Sequence, residues 1–169
     1  MVNTLSIHLP DPISELVTEQ AFEQYTSATP TAELESRLRE LSTEDLFPNG
    51  IADPEMASCC LSGLFLLHNF LDLSHSISQE IHSPEGSYWH GIMHRLEGDF
   101  WNSKYWYRKV GQHPVYEQMQ GEDSWDPFDF VDQCEQAKQS GGSDAEKVQR
   151  TAVAEWKALF EYCFQNAGK

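Results

Sequence analysis

Positive charge is scarce in this chain. Eleven lysines and arginines stand against 27 acidic residues, a net charge of −16 at neutral pH. Such a surface repels phosphate backbones and anionic lipid, which argues against nucleic acid and membrane surfaces as partners. Long apolar runs are missing too, and none approaches the ~20 residues that cross a bilayer. The opening residues, MVNTLSIHLPDPISEL, hold neither a basic leader nor a continuous apolar stretch, so no secretory signal is expected. Cysteine is limited to Cys59, Cys60, Cys134 and Cys163, with no Cys-x-x-Cys pair. Adjacent Cys59 and Cys60 are poor partners for each other, and reduced thiols in a cytoplasmic protein are the expectation. No Gly-rich phosphate loop, Gly-x-Ser-x-Gly elbow or dinucleotide fingerprint occurs.

Alternating strand patterns are scarce as well, and helix signals fill the space. The 169 residues suffice for one domain, 1–169, with a sizeable core. Asp11 and Pro12 predict a helix start over 11–26. Leu34, Leu38 and Leu41 repeat at helical spacing over 31–42. The segment 54–71 is apolar almost all round, which predicts the central buried helix. Asp72 is a candidate cap for a helix over 73–82. Further helices are expected over 84–97, ended by Gly98, and over 99–110, ended by Gly111 and Pro114. Another is expected from Pro127 to about residue 138. The run 140–143 reads as a flexible link, and Ser143 with Glu146 has capping-box spacing before a last helix over 144–164. The fold class is therefore all-α, a compact bundle of antiparallel helical hairpins. The acidic runs 33–44 and 117–132 read as solvated faces.

Gly91, the Gly98-Asp99-Phe100 turn, Ser103, Tyr107, Val110 and Pro114 lie in the order of one helical repeat. The segment 84–116 thereby resembles a single tetratricopeptide hairpin, which covers about a fifth of the chain. No second copy is evident, so a bundle containing one such hairpin is expected rather than a solenoid. The wording YWHGIMHR-x-EGD followed by N-x-x-YWYR-x-x-G-x-HP also resembles a group of bacterial and fungal proteins, a likeness that brings no activity with it.

The hairpin departs from the repeat pattern in one respect. Ser87, His90, His94 and Glu97 share one face of the helix over 84–97. The repeat would bury apolar side chains at the positions of Ser87, His90 and His94. Unpaired buried polar groups cost about 1–3 kcal/mol each, so these residues need partners. Three readings stay open. In the first, His90 and His94 hold a divalent metal, zinc or iron, with His75 or Glu97 as the third ligand. In the second, His90, His94 and Glu97 are catalytic acid–base groups without a metal, while Arg95, Asp99, Asn102, Tyr107 and Arg108 bind the ligand. In the third, the histidines form a satisfied core network that fixes packing.

The expected function is small-molecule binding, extending to acid–base or metal-assisted catalysis on a small anionic or polar ligand. The alternatives are a tetratricopeptide-like adaptor for peptides and a structural protein that forms homo-oligomers. Trp89, Trp101 and Trp106 read as packing residues, His113 as a turn residue, and His68 and His82 as bystanders.

Overall fold

Side-chain caps and prolines start most of the helices in the computed structural model, which describes residues 5–11, 13–120 and 125–169. Among these residues there are ten helices and no strand. They are α1 Glu19–Gln24, α2 Ala32–Glu40, α3 Thr43–Leu46, α4 Pro54–Leu67, α5 Leu71–Ser78, α6 Pro84–Glu97, α7 Phe100–Val110, α8 Pro114–Met119, α9 Pro127–Ser140 and α10 Ser143–Ala167. The chain is all-α, as its patterning predicts. Proline opens α4, α6, α8 and α9, a position where its missing N–H breaks no helical bond. Asp53, Ser83, Asp99, His113 and Asp126 accept hydrogen bonds from first-turn amides.

The boundaries differ from the sequence expectation in several places, and α3 is an element the pattern does not predict. The helix expected over 11–26 is turns through 17, then the short α1 capped by Thr18. The Leu16 carbonyl there accepts from His68 Nε2 at 3.1 Å, which anchors the turn to the core. Pro12 lies outside the described residues, as does 121–124 of the second acidic run. Asp72 sits inside α5, not at its cap, which is Phe70. Pro114 opens α8 rather than ending the hairpin in a loop. The link expected at 140–143 shrinks to Gly141 and Gly142, both at positive φ, because Ser140 and Ser143 are helical. Ser143 caps nothing: the residue before α10 is Gly142, with no side-chain cap bond.

Helix α4 is the central buried element. Nine of its fourteen residues are buried, matching its near-continuous apolar sequence. Helices α6 and α10 close on it around one contact. Trp156 of α10 donates Nε1–H to the Gly63 carbonyl at 2.8 Å. Trp89 of α6 lies so near that a Cβ at Gly63 would fall 2.8 Å from its indole. Only a glycine admits both tryptophans, which are fully buried. Ser62 of α4 bonds Ser74 of α5, hydroxyl to hydroxyl, at 2.7 Å, and so sets how α5 lies beside α4.

Helices α6 and α7 form a tight hairpin. Gly98 takes the left-handed conformation, φ +92°, and its amide and that of Asp99 both return to the His94 carbonyl. Ser103 Oγ donates to the Gly91 carbonyl at 2.7 Å across the seam. The result is three successive helices, α5, α6 and α7, packed side by side. No helix among the described residues is long and apolar enough to cross a membrane.

Candidate metal centre

The three packed helices each deliver side chains to one spot. Ser74 and Ser78 turn α5 toward α4 and are buried. His75, one position round, then faces α6. His90 and His94 stand one turn apart on α6 and point the same way. Their rings stack, with centroids 4.9 Å apart and planes within 18°. His75 meets His90 edge-on at 4.6 Å and His94 at 5.8 Å. One ring nitrogen from each of the three lies within 4.8 Å of the others. His90 and His94 are buried and His75 is half-buried, so the group opens to solvent on the α5 side.

Helix α7 supplies the surroundings. Asn102 and Trp106, also one turn apart, face the histidines. Trp106 lies flat on His90, ring centroids 3.8 Å apart. The Asn102 amide nitrogen reaches His94 Nε2 at 3.2 Å. An amide NH₂ only donates, so His94 Nε2 accepts and its proton sits on Nδ1. Nδ1 bonds the Glu97 carboxylate at 3.0 Å. His94 is thus oriented by a carboxylate behind Nδ1, and the one lone pair of its Nε2, which accepts from Asn102, becomes a metal donor when that amide moves aside.

His90 is different. Its Nδ1 is buried and has no hydrogen-bond partner among the described residues. Burial, then the neighbouring His94, His75 and Lys109, push its pKa down to about 3. Its imidazole is neutral across the physiological range, with a nitrogen that nothing satisfies. A neutral imidazole is the form that ligates a metal. The same property removes His90 as a general acid near neutral pH, because it carries no proton to give beyond its single N–H.

The sequence candidates separate into two groups. The structure brings together His75, His90, His94, Glu97 and Asn102. It places the other four elsewhere. Arg95 follows His94 but projects about 100° round the helix, into the core. There it pairs with Glu155 of α10 and donates to the Tyr107 hydroxyl at 2.8 Å. Tyr107 donates in turn to Glu155 at 2.9 Å, and the guanidinium lies over the Phe130 ring. Burial disfavours the Arg95 charge, but the adjacent Glu155 carboxylate overrides it and holds the pKa well above the ordinary value. Neither Arg95 nor Tyr107 is free to bind a ligand. Asp99 is spent as the N-cap of α7, accepting from the Asn102 amide at 3.1 Å. Arg108, two residues beyond Trp106, is exposed on the far side of α7.

His113, which the sequence reads as a turn residue, is buried against Tyr88 and Tyr162 and pairs with Glu85 at 3.3 Å. Two neighbours of the cluster escape the sequence reading. Trp106 reads there only as packing, and Lys109 is not singled out. The spacing Asn102, Trp106, Lys109 is i, i+4, i+7, one helical face, and that signal locates both. Glu155 is legible in the same way, as an acid between Ala152, Trp156 and Leu159 on the buried face of α10. No protein family, curated protein or solved structure matches this chain.

Proposed function

We propose that His75, His90 and His94 hold a divalent metal ion, and that the protein uses it to bind and activate a small polar ligand. The observation that carries this reading is the unpartnered, buried Nδ1 of His90 inside a group of three converging imidazoles. Tyr25, Tyr88 and Trp89 also bury an unpartnered polar atom, at about 1–3 kcal/mol each, but only at His90 do two further imidazoles converge beside it. A bound ion would give that cluster a common partner.

Zinc suits the donors better than iron. Three imidazoles with one open position match catalytic zinc, whereas non-haem iron sites pair two histidines with a carboxylate. Among the described residues the one carboxylate bonded to the cluster, Glu97, lies behind His94 and not in front of it. Glu97 therefore acts on the ligand, fixing its tautomer and raising its basicity. A tetrahedral ion with Zn–N of about 2.0–2.1 Å needs its donors ~3.4 Å apart, so the imidazoles draw in on binding. Bound zinc supplies an electrophile that polarises a coordinated water or carbonyl. The chain's own part is to hold three neutral imidazoles, seal one side of His90 with Trp106, and leave the His75 side open. The α6–α7 hairpin, which the sequence likens to a tetratricopeptide unit, serves as the rigid frame. Free thiols suit a cytoplasmic setting.

The test is a zinc titration of purified protein against a chromophoric chelator. One zinc per chain is expected in the wild type, with loss in His90→Ala and in His94→Ala while the helical circular dichroism persists. Stoichiometric zinc retained by both variants, or none in the wild type, contradicts the reading.

A further inference from the structure

Two large apolar side chains are exposed among the described residues, Trp101 at 73% and Tyr105 at 40%. Both are on α7, the helix that also lays Trp106 against His90. Tyr105 meets Trp106 edge-on at 5.5 Å, and the Trp101 and Tyr105 planes lie within 12° of each other. An aromatic track thus runs from the candidate metal ligand His90 out to solvent. Exposed aromatics gathered beside a polar cluster mark a binding surface more often than chance exposure does.

The track also carries a cation. Lys109 Nζ lies 4.2 Å from the Trp106 ring centre and 4.8 Å from that of Tyr105. Among the described residues no carboxylate pairs with it, in a chain of net charge −16. Lys104, also on α7, is by contrast neutralised by Asp132. Acids outnumber bases by more than two to one, so a lysine on a neighbouring helix face would ordinarily find one. Lys109 instead stands over aromatic faces next to His90. A ring-bound ammonium retains donors for an anionic oxygen.

We infer that Lys109, Tyr105 and Trp101 form the ligand subsite of the histidine centre, and that it takes an aromatic ring bearing an anionic oxygen group. The anionic group sits on Lys109, beside the metal position, and the ring lies along Tyr105 and Trp101. The role of the subsite in a reaction rests on the metal reading; its ligand chemistry does not.

Calorimetric titration with benzoate, phenyl phosphate, acetate and benzyl alcohol tests this, on protein with and without added zinc. Benzoate or phenyl phosphate should bind at least about tenfold more tightly than acetate and than benzyl alcohol, and the stronger of the two identifies the anionic group. Lys109→Met should weaken that binding about tenfold with zinc stoichiometry unchanged. Trp101→Ala should weaken the aromatic anions and leave acetate unaffected. Lys109-dependent benzoate or phenyl phosphate binding in a protein that holds no zinc would uphold the subsite and end the metal reading. Zinc binding with no preference for aromatic anions would do the reverse. Sedimentation is the remaining check. If Trp101→Ala converts a dimer to a monomer while benzoate and phenyl phosphate binding stays unchanged, the track joins two copies of this chain and the proposal falls.

Discussion

Glu97 accepts the Nδ1 proton of His94 at 3.0 Å, and by doing so leaves Nε2 as the nitrogen of that ring able to accept a hydrogen bond or to ligate. The carboxylate is half exposed, so its hydrogen bond to the imidazole contributes little to stability. Its consequence is for ligation. Glu97→Gln should lower zinc affinity about 10–100-fold and shift the denaturation midpoint very little. Competition titration and urea unfolding of the same variant check both halves. A variant that loses stability and keeps its zinc affinity would make Glu97 a structural residue.

The Arg95–Glu155–Tyr107 group behaves in the opposite way. Arg95 and Glu155 are both out of solvent. Removing one partner strands a buried charge, which costs about 3–5 kcal/mol. Arg95→Met and Glu155→Gln should each destabilise on that scale. The double variant should lose less than the sum, because the pair leaves together. Chemical denaturation of the three variants gives the coupling. Additive losses would mean that the two side chains do not depend on each other. Zinc stoichiometry should survive in any of them that folds.

Acid stability should carry the signature of Glu85. Burial raises its pKa, but hydrogen bonds from His113, from its own backbone amide and from Ser83 outweigh burial and leave it below the ordinary carboxylate value. The unfolded chain therefore binds the proton more readily than the folded one. The contribution of Glu85 is complete above the unfolded value, near ~4.3, and is lost as pH falls through the folded one. Metal-free Glu85→Gln should thus be less stable than wild type at pH 6, with the gap closing toward pH 3. Urea midpoints across that range decide it, and a gap constant with pH would remove Glu85 from the account.

Much of the fold was legible because local chemistry decided it. Pro54, Pro84 and Pro127 follow Asp53, Ser83 and Asp126, and each pair starts a helix where the caps require. Gly98 ends α6 for a backbone reason visible in the sequence. The 11–26 segment departs from its helical pattern where a tertiary bond, His68 to the Leu16 carbonyl, holds its first half in turns. Helical spacing also found the pairing of His90 with His94, and proximity in sequence suggested His75. Spacing could not say which arginine turned inward. Arg95 lies beside His94 in sequence, yet its partner Glu155 is 60 residues away, and only the packing of α6 and α10 on α4 brings them together. Asp99 shows the same limit: a turn carboxylate can cap a helix or meet a ligand, and here it caps.

X-ray absorption at the zinc edge tests the central claim most directly. For zinc-loaded protein the account predicts three imidazole nitrogens and one oxygen at about 2.0–2.1 Å, with one nitrogen lost in His75→Ala. Sulfur scattering at about 2.3 Å, or a nitrogen shell unchanged in His75→Ala, would contradict it.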